Sequence, residues 1–170
     1  NSKHMYRHIS DFLTDWGHES ASTIKLLKNL SDESLTKKVH PKVRTLGFLA
    51  WHLIHTLHEM PLRTGLTVDI PSHPDYAGET VKQLLETYEK GANMLAEAIK
   101  KNWTDADLNK EDDMYGQMWN RGTTLKIIIS HQAHHRAEML VLMRMLDLPV
   151  VGIYGPTKEE WEQYGMPALN

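Results

Sequence analysis

The chain has 170 residues, of which 41% are hydrophobic and 24% charged, and a formal net charge of −3. That is the profile of one soluble domain over residues 1–170, with too little charge to steer nucleic acid and no window near the roughly 18 apolar residues of a membrane span. The absence of cysteine excludes disulfides, thiolate zinc sites and cysteine nucleophiles, so any bound metal must take nitrogen and oxygen ligands.

Residues 1–4 read as a tag remnant ahead of a natural start at Met5, and His4 is set aside. No apolar leader core follows, so the expected address is cytoplasmic. Ile9, Phe12, Leu13, Trp16, Ser20, Thr23, Ile24, Leu27 and Leu30 recur at steps of three and four, predicting a first helix from about Met5 to Leu30. Ser31, Asp32 and Pro41 break that pattern. Thr45 can cap a second helix whose apolar face carries Leu46, Leu49, Leu53, Leu57 and Met60 and which ends in the low sixties, near Pro61 and Gly65. The stretch TVDIPSHPDYAG, 67–78, is rich in turn formers and reads as a loop crossing the molecule. A third helix opens near Glu79 or Thr80 and stops at NWTDAD. Asp105 to Arg121 reads as polar and irregular. The fourth helix starts at Thr123 or Thr124 and ends at Asp147 and Pro149. The tail carries a short C-terminal helix, with Thr157 and Glu160 as its capping box. Four amphipathic helices without strand alternation predict an all-α four-helix bundle, and the long loop after the second helix implies a crossover.

The chemistry concentrates in SHQAHHRAEM, 130–139. His131 and His135 are four residues apart, so both imidazoles lie on one helix face and can reach one ion. Spacing alone is weak support, because 11 histidines scattered at random give roughly 0.7 such pairs. On the second helix His52, His55 and His58 follow at three-residue steps, each a rotation of about 300°, so they cannot all face one ion. His52 sits in the apolar stripe between Leu49 and Leu53 and is the preferred inward histidine, whereas His58 and Glu59 lie toward the solvated end. Three neutral imidazoles from two helices would leave a coordination position open, in a set that suits zinc, nickel, copper or iron. The competing reading is histidines satisfied by backbone carbonyls. Trp16, Trp51, Met94, Met139 and Met143 read as core, and Tyr115 and Trp119 as candidates for a pocket mouth.

Two fragments, GFLAWHLIHTLHEMPLRTGL from Gly47 and SHQAHHRAEMLVLMRMLDLPVVGIYGP from Ser130, resemble the DinB/YfiT-like family of metal-dependent enzymes, DNA-damage-inducible-type proteins unrelated to the polymerase of that name. The likeness spans nearly the whole chain and rests on the GxLxxH pattern ending at His52, the HxxxHR segment ending at Arg136, and the tail after Pro149. It implies an up-down-down-up bundle, a homodimer, and a divalent metal, zinc or nickel foremost, on His52, His131 and His135, with His134 outside the ligand set. It further implies a small-molecule substrate, with a low-molecular-weight thiol as partner and transferase or hydrolase chemistry in detoxification or stress response. The chain departs from the family's HHRGQ at Ala137 and Glu138. Glu138, three residues after His135, is placed either to orient an imidazole and move protons, or to pair with Arg136 or Arg144 at the surface. A metal staple without turnover and a metal-free dimerisation module are the non-enzymatic alternatives.

Overall fold

The computed structural model describes residues 6–167. Its frame is four helices, α1 (Ile9–Leu27), α2 (Leu46–Leu62), α3 (Val81–Asn102) and α4 (Arg121–Met145), with a two-stranded hairpin, β1 (Glu111–Met114) and β2 (Gln117–Asn120), before α4. Each of α1 and α2 packs on both α3 and α4, so α1 and α2 are diagonal partners. Their directions follow from contacts at the ends. His8 Nδ1 lies 2.8 Å from Asp105, beside the end of α3, and the Val81 amide opening α3 donates to Asp32 just after α1. At the other end of α2 the Thr64 carbonyl accepts from Arg121, the first residue of α4. The order is therefore up-down-down-up, and the 66–80 segment must cross the length of the bundle to connect α2 to α3.

Local chemistry sets the helix starts. Thr45 accepts from the amide three residues on and caps the start of α2 as expected, and Thr80 does the same for α3, which opens where the sequence placed it. Asn120 does the same for α4, which therefore begins at Arg121, two or three residues before the threonines expected to open it. The first helix is shorter at both ends than its periodicity suggested: residues 6–8 are not helical, Leu30 lies beyond the last turn, and the proposed start at Met5 and the tag reading of residues 1–4 lie outside the described residues. The crossover buries Leu66, Val68 and Ile70 on alternate positions, so it is an apolar strap rather than a solvated loop. Gly47 permits its close approach: a Cβ there would meet the Leu35 carbonyl and the Tyr76 ring, both at 2.8 Å.

The segment 105–121 is ordered, against the expectation of irregularity. A short 3-10 turn, Asp105–Asn109, leads into the hairpin, whose strands pair from Glu111↔Asn120 to Met114↔Gln117. Tyr115 and Gly116 both have positive φ, 61° and 82°, the backbone of a two-residue turn that matches strand twist. An acidic first strand, EDDM, hides this from any propensity reading. Arg121 fastens the hairpin by pairing with Asp112 at 2.8 Å and lying 4.7 Å from the centre of the Trp103 ring. The C-terminal helix is a single 3-10 turn, Trp161–Tyr164; the Glu160 carboxylate accepts from the Thr157 and Gly152 amides just before it. Among the described residues no helix is long and apolar enough to cross a membrane.

Candidate metal centre

Antiparallel packing of α2 on α4 brings three histidines face to face. His131 and His135 stand one turn apart on α4, and His52 meets them from α2. The Nε2 atoms of His52 and His131 are 3.1 Å apart, close to the edge of a tetrahedron built on metal–nitrogen bonds of about 2.05 Å, roughly 3.3 Å. Ring centroids lie 4.9 Å apart for His52 and His131, 4.8 Å for His52 and His135, and 4.5 Å for His131 and His135. One nitrogen from each ring falls within 4.8 Å of the others, so the trio could hold a metal ion.

The electrostatics suit that use. Burial, reinforced by the neighbouring imidazoles, pushes His52 and His131 down to about 4, so both are neutral at physiological pH and keep a lone pair for coordination. Burial also lowers His135, against the opposing pull of Glu138. His135 Nδ1 donates to Glu138 Oε2 at 3.0 Å; a carboxylate can only accept, which assigns the proton to Nδ1 and leaves the Nε2 lone pair free. His131 has no such support: its Nδ1 is buried without a hydrogen-bond partner among the described residues. Thus Glu138 bonds a candidate ligand rather than Arg136 or Arg144, which pair with Glu19 and Glu159.

Other histidines fall elsewhere. His58, expected near solvent, is half-buried and its Nδ1 lies 2.8 Å from the Val68 carbonyl, a structural tie to the crossover. His55 is half-buried, its Nδ1 has no partner among the described residues, and it stays outside the trio. His134 is exposed; with His135 and Glu138 it forms a second possible grouping, but the hydrogen bond between the latter two already accounts for that proximity. Tyr115, expected at a pocket mouth, donates to Glu59 at 2.5 Å while Arg63 holds the same carboxylate at 2.6 Å. Two residues of the rim escaped the reading of the sequence. Phe48 stacks on His52 with centroids 5.9 Å apart and planes 17° apart, and the Arg44 guanidinium lies 4.5 Å from the Phe48 ring centre. For Phe48 the signal was its place one turn before His52 on the same helix; Arg44, ahead of the cap, left none.

Behind the histidines the adjoining face of the same helix is closed by hydrogen bonds. Gln132 accepts from Thr23 at 3.0 Å and Tyr88 at 2.8 Å and donates to the Leu53 carbonyl at 3.3 Å, joining all four helices. Arg136, fully buried, binds the Glu19 carboxylate, the Glu19 carbonyl at 2.7 Å, Thr23 at 3.1 Å and the Tyr154 hydroxyl at 2.7 Å. These contacts hold the α4 backbone and the tail in place, and so set the orientation from which His131 and His135 project.

Comparison with known proteins agrees with this architecture. The model of the DinB family matches residues 5–166. An uncharacterised Bacillus subtilis strain 168 protein, YrdA, is 39% identical over 165 residues, covering 96% of this chain and 98% of its own. The crystal structure of a DinB-like protein from Bacillus cereus ATCC 10987 superposes with a TM-score of 0.83 at 36% identity, over 88% of this chain and all of that one. A second DinB-like protein, YjoA of Bacillus subtilis, shares the fold at 14% identity, with a TM-score of 0.67 over 86% of this chain and 99% of its own.

Proposed function

The chain belongs to the DinB family, and from that premise we propose that His52, His131 and His135 bind a divalent transition metal, zinc or nickel, in a small-molecule enzyme of the thiol S-transferase or hydrolase type. The observation that carries the proposal is the facing pair of neutral imidazoles, His52 and His131, with Nε2 atoms 3.1 Å apart and His135 completing the triangle. A histidine satisfied by the fold donates to a carbonyl, as His58 does; these nitrogens instead face one another. A bound divalent ion would supply Lewis acidity, lowering the pKa of a coordinated thiol or water and polarising an electrophile.

The chain's own residues do the positioning. Glu138 fixes the ring plane and tautomer of His135 and increases its basicity. Phe48 backs His52 with an apolar face. His52 and His131 are only partly buried, which favours a centre open to a small substrate over a sealed structural staple. Detoxification or stress response is the setting proposed for such thiol chemistry.

Elemental analysis of untagged protein tests the metal assignment. About one equivalent of metal is expected in the wild type and none in the His131→Ala His135→Ala variant; equal metal in both overturns it. A screen of small thiols against electrophilic acceptors, using metal-loaded protein, then tests turnover. A signal that persists in the double variant would remove the centre from the reaction.

A further inference from the structure

Arg44 stands out among the cations near the histidines because it is not spent on an ion pair. Arg63 is held by Glu59, Arg121 by Asp112, Arg136 by Glu19 and Arg144 by Glu159. Arg44 is exposed, has no carboxylate partner among the described residues, and rests on the Phe48 ring at 4.5 Å. Phe48 in turn stacks on His52. Guanidinium, phenyl ring and imidazole therefore form a column, with Arg44 just ahead of the Thr45 cap and Phe48 and His52 one turn apart on α2, leading from solvent to the candidate centre.

From this column we infer that Arg44 anchors the acid group of an anionic small-molecule substrate, a carboxylate or phosphate, whose reactive end lies at the three histidines. A guanidinium that packs on an aromatic ring keeps its N–H donors for in-plane, bidentate pairing with a carboxylate or phosphate, a geometry an ammonium cannot supply. Cation–π contact with Phe48 limits the side-chain entropy lost when the anion binds. Charge points the same way. A divalent ion on three neutral imidazoles contributes two positive charges, Glu138 removes one and Arg44 restores one, so the mouth is net positive. Glu59, the other acid nearby, is neutralised by Arg63. Phe48 lines the path between the two ends and suits a short apolar spacer in the substrate.

The inference rests on the metal reading proposed above, and one experiment separates the two. Cobalt(II) is loaded into the protein and its visible absorption is followed while ω-mercaptocarboxylates, from mercaptoacetate to mercaptohexanoate, are titrated in, each against the mercaptoalcohol of the same length. The wild type should prefer the carboxylate at one or two chain lengths, which report the distance from the centre to Arg44. In Arg44→Gln that preference should fall about tenfold, the effect of one charge-assisted pair at a partly exposed site, and Arg44→Lys should keep part of it. Unaltered cobalt uptake with an unaltered preference in Arg44→Gln overturns the anchor and leaves the metal centre standing. Failure to take up cobalt in the wild type overturns the metal reading and the anchor together.

Discussion

Helix α4 carries two buried polar clusters on neighbouring positions, and they are built on opposite terms. Gln132 and Arg136 face α1, and nearly all their donors and acceptors have partners in the fold: Thr23, Tyr88, Glu19, Tyr154 and the Leu53 carbonyl. His131 and His135 face α2: His135 Nδ1 bonds Glu138, His131 Nε2 meets the His52 imidazole, and His131 Nδ1 has no partner among the described residues. A buried polar group costs roughly 1–3 kcal/mol when left unpaired. The paired cluster therefore belongs to stability, whereas the facing imidazoles fit the metal site proposed above. Mutation should divide the two.

The largest effect is expected on the paired side. Arg136→Ala strands the Glu19 carboxylate, only 12% exposed, and should cost about 3–5 kcal/mol of unfolding free energy, read by denaturant titration of metal-free protein. Similar stability in this variant and the wild type would show that the cluster is not what holds α4. His131→Ala should do the reverse. It removes a side chain with a buried, unpartnered Nδ1, so metal-free stability should change by less than about 1 kcal/mol, while competition with a chelator should show metal affinity falling about a hundredfold or more. The wild type should gain thermal stability on adding metal and the variant should not.

The same contrast explains what was legible in the sequence. The helices were legible because apolar residues at 3.6-residue spacing and the cap at Thr45 are local signals. His131 and His135 were legible for the same reason, lying one turn apart on a single helix. Selecting His52 over His55 and His58 needed only the apolar stripe around Leu49 and Leu53. The hairpin was not legible, because its register comes from the Tyr115–Gly116 turn and from Arg121 tying Asp112, and its first strand has no β propensity. Nor was the destination of Glu138: a carboxylate three residues after His135 and near two arginines has three local partners, and the choice is made when Glu19 and Glu159 take the arginines from other parts of the chain.

Acid should also distinguish the clusters. In the unfolded chain His52 and His131 titrate near the ordinary value of 6.5; in the fold both are held down to about 4, chiefly by burial. Between those values the unfolded state binds more protons, so the stability of metal-free protein is complete above about pH 6.5 and is lost progressively as pH falls toward 4. Thermal midpoints measured across that window should decline in the wild type. A His52→Asn His131→Asn variant should decline less. Parallel curves for the two proteins would mean that the imidazoles are not desolvated as the structure has them.

The smallest change separates charge from hydrogen bonding within the candidate centre. Glu138 accepts from His135 Nδ1, and Glu138→Gln retains an acceptor while removing the charge. If orientation is the whole contribution, metal affinity should be nearly unchanged in the Gln variant and reduced only in Glu138→Ala. If the carboxylate also makes the imidazole a stronger donor to the ion, Gln should already cost about tenfold, with Ala lower still. The second outcome is expected, because Glu138 raises the proton affinity of His135 against the effect of burial, and a group that favours a proton on the ring favours a metal there too. Chelator competition at fixed pH gives the ratio, and repeating it at higher salt checks its origin: the centre is only partly screened from solvent, so the charge component should shrink as ionic strength rises while the hydrogen-bond component does not.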